Sequence, residues 1–379
     1  MKYFDYAASS PLYPEVLDIL HKAQIEHFAN PSAKHQLGHD LHEHINSFRK
    51  DFLRILSADQ DDFFFFTSSA TESNNTVIKG LNLNSGDVIL YSPADHASLC
   101  APIEFLANEL KLELRILPLD AQGVIDQEKL KRLLDENIKL VTLTHVNNQS
   151  GVIQDIDSVS RLIKKCSMAH VHVDAVQSFG KIPCQLNSFI DSLSITSHKS
   201  GGPKGVAGLF LKNGHQVKPL LHGGGQENAF RSSTEAYPLI LAFHKAMQIT
   251  QKNLISSLEA TAVLNHLIRT QLAQRIPAIQ FPFHLTSPYI ISLIFPVFSS
   301  DIILRHLEQL DIYISSTSAC SSRRMGPNLS LWALGIPEKK HKHFLRISLA
   351  SCSSMSEVEF LIGSFQKIWE SLKHLRGNQ

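Results

Sequence analysis

The chain has 379 residues, of which 43% are hydrophobic and 19% are charged. This is enough apolar sequence for one large and one smaller domain, each with its own core, and it excludes a disordered or fibrous protein. With 36 Lys and Arg against 35 Asp and Glu, the formal net charge is only +1. No global field would therefore attract nucleic acid or an anionic membrane, and neither is an expected partner.

The cysteine content and the apolar runs bear on the compartment. Five scattered cysteines without a CxxC pair argue against a disulfide framework and fit a reducing environment. The opening residues, MKYFDYAASSPLYP, contain no apolar leader segment, and the longest apolar run, at residues 289–298, is too short to span a bilayer. We therefore expect a cytoplasmic protein.

The first long element predicted along the chain is an amphipathic helix. Apolar residues recur at intervals of four and three from Leu41 to Ile55, which predicts a helix over roughly residues 38–56. Histidines near its start have a spacing that a metal site could use: His35, His39, His42 and His44. Because acidic residues are interleaved and no cysteine is near, a solvated helix start is favoured, and no metal is predicted.

Short apolar runs then alternate with helical segments, which predicts an α/β fold with a mostly parallel sheet covered by helices. The predicted strands are 63–66, 88–91, 140–146, 171–173, 193–195 and 206–211, with helices that include 103–110 and 156–163. Residues 238–272 form one long helical pattern, and an amphipathic helix follows near residues 358–372. We expect a large domain at 15–250 and a small α+β domain built from 1–14 and 251–379.

Ligands bind beyond the carboxyl ends of parallel strands, so polar residues after each apolar run are candidate site residues. Small hydroxyl residues at 67–74 lead from the first run into a helix. A helix N-terminus beside hydroxyls would bind phosphate, although a plain helix cap explains the same pattern. Asp174 and Gln177 follow the run at 171–173, and here too a helix cap is the simpler explanation of the carboxylate alone.

Lys199 lies between an apolar run and the glycine-rich segment SGGPKG. Burial there would lower the pKa of this lysine and make it a candidate for a Schiff base, although a solvated lysine is the commoner case. His96, Asn147 and Asn148 follow two further runs. A phosphate site, an acid able to pair with a pyridinium nitrogen and an imine-forming lysine together describe a pyridoxal 5′-phosphate site.

The motifs carry a family resemblance that covers essentially the whole chain. SSATESNN, HVNNQSG, HVDAVQS, SHKSGGPKG, HGGGQENAFRSST, STSACSS and LRISLA occur in the order of the motifs of cysteine desulfurases of the NifS/IscS type. The sequence resembles these members of the class V aminotransferase group, which have PLP-dependent fold type I. The resemblance implies a homodimer that converts L-cysteine to L-alanine and passes the sulfur to an iron–sulfur scaffold, a tRNA-thiolation protein or another acceptor protein.

The resemblance also implies roles for individual residues. Lys199 would bind the cofactor covalently, Asp174 would pair with the pyridine nitrogen, and Gln177 would contact the phenolic oxygen. His96 would stack on the ring and move protons, and Asn148 would lie near the cofactor and the substrate carboxylate. The remaining cofactor-binding positions would be Ala70, with Thr71, Thr196 and His198 on the phosphate, and Thr234 reaching the phosphate of the neighbouring subunit.

Two further implied roles concern the substrate. Arg346 would clamp the substrate α-carboxylate with its planar guanidinium. Cys320 would take the substrate sulfur as a persulfide; its polar neighbours predict an exposed loop, and the adjacent arginines would favour the thiolate. Cys100 and Cys166 lie among apolar residues and are predicted to be buried and inert, whereas Cys352 is a weaker rival nucleophile.

Other functions use the same features. A class V aminotransferase or a selenocysteine lyase would keep the cofactor site but depend less on Cys320, and a weakly active scaffold protein would not need Lys199. The sequence departs from the family pattern at Ser69, Gln149, Ser233 and Ala350. The added Cβ atoms of Ser69 and Ser233 would crowd the phosphate-binding backbone if these residues required a positive φ.

Overall fold

A seven-stranded sheet organises the larger part of the chain in the computed structural model, which describes residues 1–316 and 328–373. From one edge to the other its strands are β2 (Phe63–Thr67), β8 (Ala207–Leu211), β7 (Ser192–Thr196), β6 (His170–Asp174), β5 (Ile138–Thr144), β3 (Val88–Tyr91) and β4 (Glu113–Ile116). β8 is antiparallel to both of its neighbours, whereas all other pairs are parallel. The predicted α/β fold with a mostly parallel sheet is confirmed.

Helices surround this sheet, and all except the first, which packs on the seventh, contribute apolar residues to the cores that contain its strands. They are α1 (Pro14–Glu26), α2 (Gln36–Leu56), α3 (Ala70–Gly80), α4 (Ala97–Leu110), α5 (Gln127–Leu133), α6 (Ile156–Cys166) and α7 (Tyr237–Lys252). α2 confirms the helix predicted from apolar spacing, and it buries Leu41, Ile45 and Phe52. The ring of Phe52 stacks on that of Phe64 in β2, with centroids 4.5 Å apart.

A second, smaller sheet places β12 (Phe344–Ser348) between β9 (Ile290–Ile294) and β11 (Ser315–Ser316), with both pairings antiparallel. β1 (Lys2–Tyr3) pairs in parallel with β10 (Ile312–Tyr313). The helices of this part are α8 (Leu254–Arg275), α9 (Ser300–Glu308), α10 (Leu329–Ala333), α11 (Glu338–His341) and α12 (Met355–Lys373). Within the described residues, no helix has both the length and the apolar character needed to cross a membrane.

The apolar residues of the chain form two large cores. The first contains residues from α2 to α7, between Leu41 and Met247. The second joins Phe4 to residues between Leu264 and Leu372. The N-terminus therefore packs with the C-terminal part, while the two predicted domains and their boundaries stay a prediction.

Two sequence predictions were wrong in detail. The single helix predicted at 238–272 is two helices, because α7 ends at Lys252 and α8 begins at Leu254, with Asn253 between them. Apolar periodicity continues on both sides of this break, so the sequence pattern does not show it. β4 was not predicted because it is a partly exposed edge strand that contains Glu113 and Arg115.

Candidate active site

The carboxyl ends of β5, β6 and β7 border a cavity of about 320 Å³. Every sequence-predicted site residue except two lines it: Ala70, Thr71, His96, Asn148, Asp174, Gln177, Thr196, His198, Lys199 and Arg346. Of the two exceptions, Thr234 is exposed and lies outside this cavity, and Cys320 lies outside the described residues. The cavity collects, in one place, groups that are far apart in the sequence.

The start of α3 forms one wall of the cavity. Ser69 is its N-cap, with an extended backbone (φ −165°), and its side chain accepts a hydrogen bond from the Glu72 N–H at 3.2 Å. Ser233 is likewise not among the residues with positive φ, so the condition under which these serines would crowd the backbone is not met. Ala70 and Thr71 follow the cap, where the N–H groups of a helix have no partner inside the helix and can bind an anion.

Lys199 ends a helical turn directly after β7, and its amine reaches the N-terminal segment. Its Nζ donates to the carbonyl oxygen of Ala8 at 2.6 Å and to that of Ala7. Gly201, two residues later, has φ +75°, and a Cβ at this position would lie 2.2 Å from the ring of Tyr13. The glycine-rich segment therefore permits the tight turn that leaves Lys199 at the cavity.

Asp174 ends β6 and is 5% exposed. One carboxylate oxygen accepts from the N–H of Val176 at 3.0 Å, which is the local cap that the sequence also suggested, and the other accepts from Asn74 Nδ2 at 3.0 Å. The carboxylate thus caps the next turn and also lines the cavity. Asn74 belongs to the hydroxyl-rich segment at 67–74 but was not itself predicted as a site residue.

The two histidines of the cavity are held in their neutral forms. Burial lowers the pKa of His96, and the positive charge of Lys199 lowers it further, against the opposing effect of Asp174. His96 caps α4, because its Nδ1 accepts from the Ser98 N–H at 3.1 Å. Burial, together with the charges of Lys199 and other lysines, holds the pKa of His198 at about 4.

Gln177 and Lys181 form a second contact between the sheet and the N-terminal segment. Gln177 Nε2 donates to the carbonyl oxygen of Ala7 at 2.8 Å, and its Oε1 accepts from Lys181 Nζ at 3.2 Å. Burial lowers the pKa of Lys181 to about 7, and the nearby charges of Lys199 and Arg346 act in the same direction. Lys181 was not predicted as a site residue, although it lies four residues after Gln177.

Arg346, in β12, reaches across from the smaller sheet to the cavity. Its Nη2 forms an ion pair with Asp5 Oδ1 at 2.6 Å, and its Nη1 donates to the carbonyl oxygen of Asn148 at 2.9 Å. Asp5 also lines the cavity and was not predicted. No motif marks Asp5, and its partner lies 341 residues away in the chain, so a local pattern could not have identified it.

The described cysteines differ in environment. Cys100 and Cys166 are half-buried rather than fully buried as predicted, and burial raises the pKa of the Cys100 thiol. Cys352 is exposed, and its Sγ lies 3.6 Å from the Tyr6 hydroxyl. It lines a neighbouring cavity of about 470 Å³, which Lys199 also borders.

The histidines near the start of α2 have local roles: His35 Nδ1 accepts from the Gly38 N–H at 3.2 Å, and His44 Nδ1 lies 2.9 Å from the Tyr237 hydroxyl. Among the described residues, the donor atoms that lie within 4.8 Å of one another belong instead to His170, Asp191 and His215. The Asp191 carboxylate already pairs with Lys164 and with His215. This cluster is explained as a buried ion-pair network.

The donor set of the cavity fits an aldehyde cofactor that carries a phosphate, because a lysine amine, a carboxylate and a helix N-terminus with adjacent hydroxyls line the same space. A comparison with protein families agrees: the model of the aminotransferase class-V family matches residues 2–361. The chain belongs to this family. Class-V aminotransferases are pyridoxal 5′-phosphate enzymes, and so is this chain.

Within this family, the chain is similar to individual proteins of known name. It is 32% identical to the cysteine desulfurase IscS of Dictyoglomus turgidum, over 98% of this chain and 95% of the relative. Among solved structures, a NifS-like protein superposes with a TM-score of 0.90 at 29% identity, covering 98% of this chain and 100% of the other. SspA in complex with cysteine gives a TM-score of 0.81 at 28% identity, covering 93% and 100%.

Proposed function

We propose that this member of the aminotransferase class-V family is a cysteine desulfurase, which converts L-cysteine to L-alanine and transfers the sulfur to its own Cys320. The observation that carries the proposal is the single cavity lined by Lys199, Asp174 and Arg346, which offers an amine, a carboxylate and a guanidinium to a cofactor and an amino acid. Full-length similarity to cysteine desulfurases supports L-cysteine as the substrate.

The cavity residues have the chemistry to hold pyridoxal 5′-phosphate. When bound, the cofactor supplies an electron-accepting ring that stabilises negative charge at the substrate Cα. Lys199 would bind it covalently, Asp174 would pair with its ring nitrogen, and Gln177 would contact its phenolic oxygen. The phosphate would be bound at the start of α3, where Ala70 lies, by the side chains of Thr71, Thr196 and His198. In a homodimer, Thr234 would reach the phosphate of the other subunit.

The substrate is held and deprotonated by residues from both sheets. Arg346 binds the α-carboxylate, with Asn148 beside it, and this fixes the orientation of the Cα–H bond. The amine of Lys199, released from the cofactor when the substrate binds, would remove the Cα proton. His96 would stack over the ring, and since burial lowers the pKa of its imidazole, it could accept a proton at this position and return it.

Sulfur transfer then requires a nucleophile that attacks the substrate sulfur. We assign this role to Cys320, which lies outside the described residues, because its polar neighbours and adjacent arginines in the sequence favour an exposed thiolate. Its thiolate attacks the substrate sulfur, so that an S–S bond forms while the Cβ–S bond breaks. The electron pair of the broken bond stays with the organic fragment, which takes up a proton and leaves as L-alanine. The Cys320 persulfide is passed in the cytoplasm to an acceptor protein, either an iron–sulfur scaffold or a tRNA-thiolation protein.

A product assay tests this function. The cofactor-loaded protein, given L-cysteine and a thiol reductant, is expected to release sulfide and L-alanine in equal amounts. Cys320→Ala should abolish sulfide release because no thiolate remains to accept the sulfur, whereas Cys352→Ala, which removes an exposed thiol, serves as the matched control and should keep the wild-type rate. Full sulfide release by Cys320→Ala, or turnover of L-cysteine without sulfide, contradicts the proposal.

A further inference from the structure

A line of buried polar side chains runs along one face of the sheet and ends at Asp174. His170 and His172 lie on the same face of β6 as Asp174, because alternate residues of a strand share a face. His170 Nε2 is 2.7 Å from Ser192 Oγ, which is 2.8 Å from His172 Nδ1. His172 Nε2 is 2.9 Å from Asn74 Oδ1, and Asn74 Nδ2 donates to Asp174 at 3.0 Å.

The other four residues of this line have no role in the proposed reaction, yet each is at most 5% exposed: His170, Ser192, His172 and Asn74. Buried polar side chains are tolerated in a protein core when each has a hydrogen-bond partner. Asn74 Nδ2 also donates to Ser98 Oγ at 2.9 Å, and Ser98 Oγ lies 2.8 Å from His96 Nδ1. The line therefore branches at Asn74 and reaches two cavity residues.

The direction of each hydrogen bond follows from the carboxylate. Asp174 can only accept, so Asn74 presents Nδ2 to it and turns Oδ1 towards His172. Because Oδ1 also only accepts, His172 carries its proton on Nε2, which lies 3.5 Å from Ser194 Oγ as well. His172 Nδ1 then accepts from Ser192, and burial holds the pKa of His172 at about 3, so the ring stays neutral as this pattern requires.

We propose that His172 is a positioning residue for Asp174, because its Nε2–H fixes the Asn74 amide in the orientation that donates to the carboxylate. Without this donor the amide of Asn74 can turn over and bring Oδ1 against the carboxylate, which is repulsive, and Ser98 loses its donor at the same time. The inference rests on the proposed function only in taking the cavity as the cofactor site. His172 thus orients Asp174 through Asn74, and it orients His96 through Asn74 and Ser98.

The test compares two histidines of the same strand. His172→Phe removes the donor to Asn74, whereas His170→Phe removes a buried ring that also contacts Ser192 but leaves the His172–Asn74–Asp174 contacts in place. The dissociation constant of pyridoxal 5′-phosphate is measured by titrating cofactor-free protein without L-cysteine, and the absorption spectrum of the bound cofactor is recorded. His172→Phe should weaken binding roughly tenfold or more, because the turned Asn74 amide no longer donates its hydrogen bond to the charged Asp174, and it should alter the spectrum.

The control and a conservative variant complete the test. His170→Phe should keep the wild-type affinity and spectrum, and His172→Gln, whose amide N–H can replace Nε2–H, should restore most of the affinity. Wild-type binding by His172→Phe, or an equal loss in His170→Phe, overturns the proposal. If His172→Phe does not fold, Asn74→Leu decides: a loss of affinity of roughly tenfold or more supports the proposal, and wild-type affinity overturns it. Cofactor binding without sulfide release by the wild type contradicts the proposed function alone.

Discussion

Arg346 is 4% exposed, yet only some of the N–H groups of its guanidinium donate hydrogen bonds. Asp5 and the Asn148 carbonyl engage the two terminal nitrogens, while Nε has no hydrogen-bond partner among the described residues. A buried donor in a cavity wall is costly unless a ligand satisfies it. This arrangement suits a guanidinium that is held rigidly and offers its remaining N–H donors, that of Nε among them, to a substrate carboxylate.

Replacing Arg346 by Lys is expected to raise the KM for L-cysteine by roughly tenfold or more, because a lysine keeps the charge but not the fork of donors. The kcat should change less, since the residue binds the carboxylate and not the reacting bonds. Steady-state kinetics with L-cysteine checks this. Arg54→Lys, at a side chain that is 77% exposed, is the control and should leave KM unchanged; an unchanged KM for Arg346→Lys contradicts the assignment.

Much of the cavity was predictable at the residue scale because polar residues directly follow buried strands. Asp174 and Lys199 were found by this rule, and both line the cavity. Asp5, Asn74 and Lys181 were not. Asp5 and Asn74 act through partners distant in the sequence, and Lys181, although it lies only four residues after its partner Gln177, does not directly follow a strand. A hydrogen bond such as that from Asn74 to Asp174, across 100 residues, leaves no local pattern.

At the scale of single elements, α2 shows how apolar spacing becomes packing. Its Phe52 is fully buried, and the ring lies against those of Phe64 and Phe243, with centroid distances of 4.5 and 4.7 Å. The helix therefore anchors the sheet at β2, from which the chain leads directly to the cavity through Ser69 and Ala70. The apolar spacing predicted this helix, whereas it could not show the break at Asn253, where both flanking helices continue the same period.

Phe52→Ala is expected to lower the free energy of unfolding by about 3–5 kcal/mol, because the cavity left among packed rings cannot collapse fully. Urea denaturation followed by circular dichroism measures this. Phe28→Ala is the matched control: Phe28 is 80% exposed, so its removal should change the free energy of unfolding by less than about 0.5 kcal/mol. Equal effects of the two substitutions would contradict the described packing of α2.

At the scale of the whole molecule, the stability should depend on pH through buried neutral histidines. Burial holds the pKa values at about 3 or about 4 for His145, His170, His172 and His198. In the unfolded chain these histidines titrate near 6.5. Below that pH the unfolded state binds protons that the folded state does not, so stability is lost as pH falls.

Two buried carboxyl groups oppose this trend. Burial raises the pKa values of Asp95 and Glu227 to about 7, so their protonation favours the folded state as pH falls below 7. Since the histidines outnumber them, the free energy of unfolding should fall on the order of 2 kcal/mol between pH 7 and pH 5. Urea midpoints at the two pH values check this; a higher midpoint at pH 5 contradicts it.

The central claim is that Lys199 is the amine that carries the cofactor, and one chemical experiment tests it directly. Protein loaded with pyridoxal 5′-phosphate is reduced with borohydride, digested and mapped by mass spectrometry. Lys181 is the informative rival, because it is buried beside Lys199 and its pKa is lowered to about 7. We expect the reduced cofactor on the peptide containing Lys199; cofactor on Lys181, or on no lysine at all, would contradict the account.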